Sequence, residues 1–382
     1  MRDAVIVGAV RTPVGKRNGG FAQVHPVDLG GHILQALARR AGFDPAQVDD
    51  VIFGCVSQSG EQSWNVGRNV VLAAGWPASV PGTTLDRQCG SSQQAVHFAA
   101  ATVLSGQADL VVAGGVEVMS RVPMGSSAQD KMPYGERVRE RYRDEEGFAA
   151  HDQIPFSQGV GAEMMASRWG LSRGQLDEYS LASHEKAAAA SFEAELAPYA
   201  GVLADEGIRR DTTLAKLGSL PTPFRPDGVV TAGSASQISD GAAALAITTS
   251  EFAAQQGLTP LARIHTAVVA GDDPVIMLTA PIPATAKALA KAGLSISDIG
   301  VFEVNEAFAP VPLAWLKETG AAPERLNPRG GAIALGHPLG ATGARLMTSM
   351  LYYQRDNGIR YGLQTMCEGG GMANATILEV IA

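Results

Sequence analysis

The sequence predicts an α/β fold built from two similar halves, with a long segment inserted in the first. Three observations predict it. Strand-like apolar runs alternate with helix-like runs at both ends of the chain, the pattern of a sheet carrying helices on its faces. The stretch "ARRAGFDPAQVDDVIFG" is echoed by "LAKAGLSISDIGVFEV" near the other end: a helix end, Ala-Gly, an apolar residue, a polar turn and then a strand. Between these ends, from about residue 120 to 236, the texture changes to charge-dense and turn-rich sequence.

The elements follow in order. Ala4 to Val10 reads as the first strand, and "DDVIFGCV" and "DLVVAGG" as two more. "TTLD" reads as a strand end, followed by an Ala-rich helix with Val96, Ala99, Ala100, Val103 and Leu104 at its apolar positions. "DKMPYGERVRERYRDEEG" is charge-dense, with Arg137, Arg139, Arg141 and Arg143 set among acids. Such a run reads as a solvated helix or a subunit contact, and less readily as a site for phosphates. "GAEMMASRWGLSRGQLDEYSLASHEKAAAA" is helical by apolar spacing and alanine content. "SQISDGAAALAITTS" reads as a helix and strand returning to the first half, and "IGVFEVN" and "YGLQTMC" as strands of the second. About 45 residues beyond each Ala-Gly stands a glycine-flanked reactive candidate, Cys89 in one half and His337 in the other.

Composition bounds the function. The chain has 382 residues, enough for two or three units around a large core. Charged residues make up 18%, a shortage that suits an extensive interior or a subunit interface and predicts an oligomer. A net charge of −8 argues against a general nucleic-acid binder, which needs a basic surface. No stretch approaches the ~20 apolar residues of a membrane span. "MRDAVIVGAVRTPVGK" lacks the apolar core of a secretory signal. The three cysteines, Cys55, Cys89 and Cys367, are too scattered for a disulfide framework or a zinc site. These features predict a cytoplasmic protein without a metal.

Four stretches carry candidate chemistry. In "LDRQCGSSQQAV", Cys89 sits at a turn beside Gly90 and at the start of a helix, where the dipole favours a thiolate. It is either a nucleophile or a small residue packed at a tight turn. In "RGGAIALGHPLGATGARL" the glycines let backbone approach His337, which either meets a ligand or is a hydrogen-bonded loop histidine. The Gly-Lys-Ser/Thr of a phosphate loop is absent. "QTMCEGGGMANATILEV" places Cys367 at a strand end before three glycines; that turn either aims N–H groups at one point or is a plain hairpin. "VFEVNEAFAPV" ends a strand with Asn305 and Glu306, which line a ligand crevice or, for Glu306, cap a helix. Together the four supply a thiol, an imidazole to activate it, a second thiol and hydrogen-bond donors. That set suits acyl transfer through a thioester.

These motifs resemble those of the thiolase family. "QCGSSQQAV" is similar to its nucleophile segment, "NEAFA" to its Asn-Glu motif, "GGAIALGHPLGATGARL" to its histidine motif and "CEGGG" to its C-terminal Cys-x-Gly motif. "RTPVGK", "AGGVEVMS" and "TAGSASQISDGAAA" also match family segments, in the family order and over nearly the whole chain. The resemblance implies a thiolase-like five-layered α/β/α/β/α core from two duplicated halves, with an inserted loop domain. It divides the chain into 1–119 with 237–259, a covering segment 120–236, and 260–382. It implies a homodimer or homotetramer acting on acyl-CoA, with coenzyme A as a substrate and no permanently bound cofactor.

Carried over by motif, Cys89 attacks the keto carbonyl of a 3-ketoacyl-CoA and His337 supports its thiolate. Cys367 exchanges protons with the acetyl-CoA enolate and with incoming CoA. Asn305 positions a water in one oxyanion site, and the N–H groups of Cys89 and Gly369 form the other. Ser236, Phe308 and Met277 match positions near the pantetheine arm or acyl pocket. The chain departs from the biosynthetic pattern at Ser157-Gln158-Gly159, where His-Met-Gly is common, and at Met277-Leu278, where Met-Gly is common. It also carries Arg329 in place of a smaller polar residue. With "VEVMSRVPMG", these departures resemble degradative thiolases more than the acetoacetyl-CoA-forming type. A homologue that binds acyl-CoA without turnover is the rival from another class. Cys55 matches no motif and reads as core.

Overall fold

The structure, a computed structural model, describes residues 2–129, 131–145 and 156–381. Its strands are β1 (Val5–Arg11), β2 (Gly15–Lys16), β3 (Asp50–Gly54), β4 (Thr83–Leu85), β5 (Leu110–Val118), β6 (Ser239–Thr248), β7 (Ala262–Gly271), β8 (Val301–Val304), β9 (Tyr361–Glu368) and β10 (Met372–Val380). They form one mixed sheet in the order β4-β3-β5-β6-β1-β7-β10-β9-β8, with β2 beside β6. The order reads alike from both ends. β1, β6, β5 and β3 on one side correspond to β7, β10, β9 and β8 on the other. The directions mirror as well: β3–β5 and β8–β9 are parallel, while β5–β6, β1–β6, β9–β10 and β7–β10 are antiparallel. The two sides meet at β1–β7, through only two residue pairs, Val5 with Arg263 and Ile6 with Ala262.

Helices α1 (Pro26–Ala41), α2 (Val66–Ala73), α3 (Ser91–Ser105), α4 (Glu136–Arg141), α5 (Gln158–Arg168), α6 (Arg173–Ala189), α7 (Leu214–Gly218), α8 (Ser250–Gln256), α9 (Pro281–Ala292), α10 (Pro310–Thr319), α11 (Ala332–Leu335) and α12 (Leu339–Asp356) complete the chain. Helices α3 and α12 pack on each other and on strands of both sides, while α1 and α2 cover one outer face and α9 the other. Helix, sheet, helix, sheet, helix: five layers result.

Strand periodicity explains the layering. Along β5, Leu110, Val112 and Val116 join the core under α1 and α2, whereas Val111 and Ala113 join the core around α3 and α12. In α1, Leu29, Ile33, Leu34 and Leu37 recur at helical spacing and are fully buried, each burial contributing about 1.5–3 kcal/mol. His25 Nδ1 accepts the Val27 N–H at its start, with Pro26 in the first turn; Arg39 and Arg40 lie in its last turn. The two Ala-Gly echoes are alike in three dimensions. Gly42 ends α1 with φ 79° and Gly293 ends α9 with φ 68°, and each precedes a short 3-10 turn and then a parallel strand.

Two expectations need correction. "SDGAAALAIT" is wholly strand, β6, with no helix before it beyond a 3-10 turn at Ala232–Ser234. Its alanines favour helix locally, but between β1 and β5 their small side chains let helices approach both faces, so tertiary packing overrides propensity. Leu104 is not at an apolar position: it is 47% exposed, one residue before the end of α3. The arginine run forms α4 and its flank, exposed or half-buried among acids. Asp130 and residues 146–147, at the ends of that charge-dense stretch, lie outside the described residues. Among the described residues, no helix is long and apolar enough to cross a membrane.

Candidate active site

Cys89 lies where β4 has ended and α3 is about to begin. The turn is strained two residues earlier than the sequence indicates. Gln88 has φ 48°, a left-handed conformation unfavourable for a residue with a Cβ, whereas Gly90 has an ordinary φ of −85°. Side chains fasten the turn: the Gln88 N–H donates to Asp86 Oδ1 at 2.6 Å, and the Ser91 hydroxyl donates to the Gln88 carbonyl at 2.6 Å. Gly90 is needed for a different reason. A Cβ there would stand 2.0 Å from Glu368 Oε1 and 2.6 Å from Asn374 Oδ1. The strand–turn–helix form presents the sulfur at the N-terminal end of α3. Cys89 is 4% exposed, among Met119, Leu339 and Met366. Burial pushes its thiol up to about 12, with the nearby Glu368 adding to the rise, while the N–H groups of Cys89 and Gly369 favour the thiolate.

His337 has the equivalent place before α12. Gly336 precedes it with φ 101° and ψ 168°, a region open only to glycine, and a Cβ there would meet Ser239 Oγ at 2.1 Å. The His337 N–H donates to the Gln237 carbonyl at 3.0 Å and to Ser239 Oγ at 3.2 Å, which ties the segment to the start of β6. The ring tautomer follows from its neighbours. Thr342 Oγ1 donates its proton to the Pro338 carbonyl at 2.8 Å, so it accepts from His337 Nδ1 at 2.7 Å. Nε2 is therefore left unprotonated, with Asn305 Nδ2 at 3.4 Å. Burial lowers the imidazole to about 3, helped by the charge of Arg345. The ring is a neutral base.

Asn305 follows β8 and is fully buried, its Oδ1 without a partner. Cys367 is on β9, paired with Ala373 of β10. Burial raises its thiol well above the ordinary value, and the nearby Cys89 and Glu368 raise it further. Gly369 starts the β9–β10 turn and directs its N–H toward Cys89. The two central helices are stitched near their starts, where the Ala344 N–H donates to Ser92 Oγ at 2.9 Å. Cys89 and His337 thus precede the two packed helices α3 and α12, with Asn305 beside His337 and with Gly369 and Cys367 near Cys89.

A cavity of about 650 Å³ is lined by Ser236, Gln237 and Phe224, with Lys16, Arg17 and Arg209 supplying positive charge. Phe308 stands edge-on to Phe224 at 5.9 Å. Met277 does not line this cavity; it is buried in the core that also holds Phe308, with a left-handed φ of 62°. The Ser157-Gln158-Gly159 stretch opens α5, and a Cβ on Gly159 would fall 2.0 Å from the Phe224 ring. Arg329 turns away from this region. It donates to Glu195 Oε2 at 3.2 Å and to the Ser191 carbonyl, and it stacks on Phe192, 4.4 Å from the ring centroid. Cys55 is fully buried.

Sequence reasoning missed the residues that hold these groups. Glu117 accepts from the N–H groups of Val56, Ser57 and Gly340 and from Gln62 Nε2, all within 3.0 Å, joining β5 to the start of α12. Thr342 and Gln237 were equally hidden. Glu306, read as crevice lining or a helix cap, is a buried clamp. It accepts from Tyr179, Ser183 and Asn327 side chains and from the Ile333 N–H at the start of α11, so it joins α6 to the segment leading to His337.

Family models for "Thiolase, N-terminal domain" and "Thiolase, C-terminal domain" match residues 4–251 and 258–380. The chain is 49% identical to a steroid 3-ketoacyl-CoA thiolase, FadA6, of Mycobacterium tuberculosis, over 99% of this chain and 94% of that protein. It is 44% identical to a 3-ketoacyl-CoA thiolase of Erwinia tasmaniensis over the full length of both. The crystal structure of an acetyl-CoA acetyltransferase from Bacillus anthracis superposes with a TM-score of 0.89 at 37% identity, covering 100% of this chain and 99% of that one.

Proposed function

The chain belongs to the thiolase family, and from that premise we propose how its own residues carry out the reaction of a degradative 3-ketoacyl-CoA thiolase, which yields acyl-CoA and acetyl-CoA from 3-ketoacyl-CoA and CoA. The placing of Cys89 and His337 before the packed helices α3 and α12, with Cys367 near Cys89, supports the reading.

His337 Nε2 takes the Cys89 proton, and the sulfur attacks the C3 carbonyl. The new S–C bond forms as the carbonyl becomes an oxyanion. When the carbonyl re-forms, the C2–C3 bond breaks and its electron pair leaves as the acetyl-CoA enolate. The Cys367 thiol protonates C2, releasing acetyl-CoA. The resulting thiolate takes the proton of incoming CoA, whose sulfur displaces the acyl group from Cys89. The Cys89 and Gly369 N–H groups stabilise one oxyanion. The free Oδ1 of Asn305 suits a water that donates one proton to it and the other to the second oxyanion. CoA is a substrate here, its pantetheine arm passing Ser236 and Phe308, with Lys16, Arg17 and Arg209 complementing its phosphates. Met277 acts indirectly, by shaping the wall behind Phe308.

We assign residues 1–119 with 237–259 to the N-terminal half, 120–236 to a cover over the CoA site, and 260–382 to the C-terminal half; the mirrored strand order supports this. A homodimer or homotetramer in the cytoplasm completes the reading. The open edge of β4 and exposed Trp64, Phe98 and Leu104 support the oligomer, which sedimentation tests directly.

Cys89→Ser tests the core assignment. The variant is expected to lose acyl-enzyme formation by intact mass, and thiolysis by roughly 10⁴-fold or more; near-normal thiolysis would refute it. A panel of linear, branched and ring-bearing 3-ketoacyl-CoAs identifies the acyl group. Acyl-CoA binding without acyl exchange in the native protein would instead indicate a non-catalytic homologue.

A further inference from the structure

Directly after Cys367, on the opposite side of β9, stands a buried carboxyl that the reaction above does not use. Glu368 is fully buried, and among the described residues no side-chain donor reaches either oxygen, the nearest favourable group being the Asn374 backbone N–H. Asn374, on β10, is also fully buried with its Oδ1 unpartnered. The orientation of that amide is fixed. Its Nδ2 donates to the Gly90 carbonyl at 3.3 Å, and a carbonyl can only accept, so Oδ1 is the atom turned away from it. Glu368 Oε1 and Asn374 Oδ1 both lie within 2.6 Å of the point where a Gly90 Cβ would stand. Two acceptors therefore lie close to one another in a buried site beside Gly90, the residue after Cys89. A carboxylate there would be a buried charge without an ion-pair partner beside an acceptor, whereas a proton between the two oxygens satisfies both.

We propose that Glu368 is a positioning residue kept as a neutral acid, its proton donated to Asn374 Oδ1, so that no fixed negative charge opposes the Cys89 thiolate as it forms. The inference rests on Cys89 being the nucleophile. The groups around Glu368 bear on it in opposite senses. Arg87, in the turn before α3, and the backbone N–H of Asn374 favour ionisation, but Arg87 forms no ion pair with Glu368 and reaches instead toward Met372 Sδ at 3.9 Å. Asp86 in the same turn opposes ionisation, as do the thiols of Cys89 and Cys367 once either is ionised. Burial outweighs both Arg87 and the Asn374 N–H and pushes the carboxyl up to about 8. An ionised Glu368 in turn disfavours the Cys89 thiolate. The neutral acid thus permits thiolate chemistry near neutrality and suppresses it in alkali.

The test is alkylation of Cys89 by iodoacetamide from about pH 6 to about pH 10, read as adduct mass on the Cys89 peptide, in native protein and Glu368→Gln. Glutamine keeps the donor to Asn374 Oδ1 and cannot ionise. The two profiles are expected to coincide up to about pH 7, and above about pH 8 the variant is expected to react roughly tenfold faster. A rate ratio that stays constant across the range overturns the proposal. If the variant does not fold, infrared spectroscopy of the native protein at about pH 7 decides. A carboxylic-acid C=O band that shifts in Asn374→Ala supports the shared proton, and no responsive band overturns it. Neither measurement needs turnover, so either can fail while the thiolysis assignment stands, and the reverse.

Discussion

Cys89 and His337 occupy matching places in two mirrored halves, yet the chain reaches them differently. Each follows a left-handed residue and precedes a central helix. In the first half that residue is Gln88, at φ 48°; in the second it is Gly336, at φ 101°. Gln88 bears strain that its neighbours' hydrogen bonds must hold, whereas Gly336 takes a conformation that glycine adopts freely. The same scaffold position thus presents a thiol on a tensioned turn and an imidazole on a relaxed one. Burial separates them further, lifting the thiol to about 12 and lowering the imidazole to about 3, so the unliganded pair is neutral.

The largest effect should come from removing the imidazole. His337→Ala is expected to lower thiolysis by roughly 10²–10⁴-fold and to slow Cys89 alkylation in parallel. A loss below about tenfold would break the pairing of the two positions.

Titration should act on the two regions from opposite ends of the pH scale. An imidazole at about 3 when folded and 6.5 when free favours the folded state fully above about pH 6.5, a contribution lost as pH falls toward 3. A thiol at about 12 when folded and 9.0 when free contributes below about pH 9, and that contribution is lost as pH rises toward 12. The imidazole contribution is on the order of 5 kcal/mol at most. Urea midpoints across pH should show a flatter acid limb in His337→Gln and a flatter alkaline limb in Cys89→Ala. The opposite assignment would discard the burial argument.

The glycine contrast sharpens the comparison at smaller scale. Gly336→Ala should cost about 3 kcal/mol in chemical denaturation, because its conformation excludes a Cβ and Ser239 fills the space. Gln88→Gly should go the other way, raising stability by about 0.5 kcal/mol while slowing Cys89 alkylation as the turn loosens. A lower thermal midpoint for Gln88→Gly would mean that the turn is not strained.

What the sequence disclosed follows from the range of each interaction. The candidate thiols and imidazole were visible because each carries a local signature of glycines, strand end and helix start. The Ala-Gly echo was visible because helix capping is local. Strand β6 was misread in part because its alanines take their conformation from β1 and β5, more than 100 residues away. Glu117 was invisible for the same reason: its bond to the Gly340 N–H spans 223 residues. The strain at Gln88 was missed because Gly90 is the obvious turn residue, whereas its missing side chain serves the close approach of Glu368 and Asn374.

Strand β1 lies between β6 and β7, so the first of these strands to be synthesised is among the last to find both neighbours. More than 220 residues must leave the ribosome before β6 can pair with it, and helices α1 to α7 emerge in between. Until then a strand of Val, Ile and Ala has both edges open, an invitation to pair with the wrong chain. Nascent chains halted before residue 239 should therefore bind chaperones that grip extended apolar segments, and let go once β6 is out.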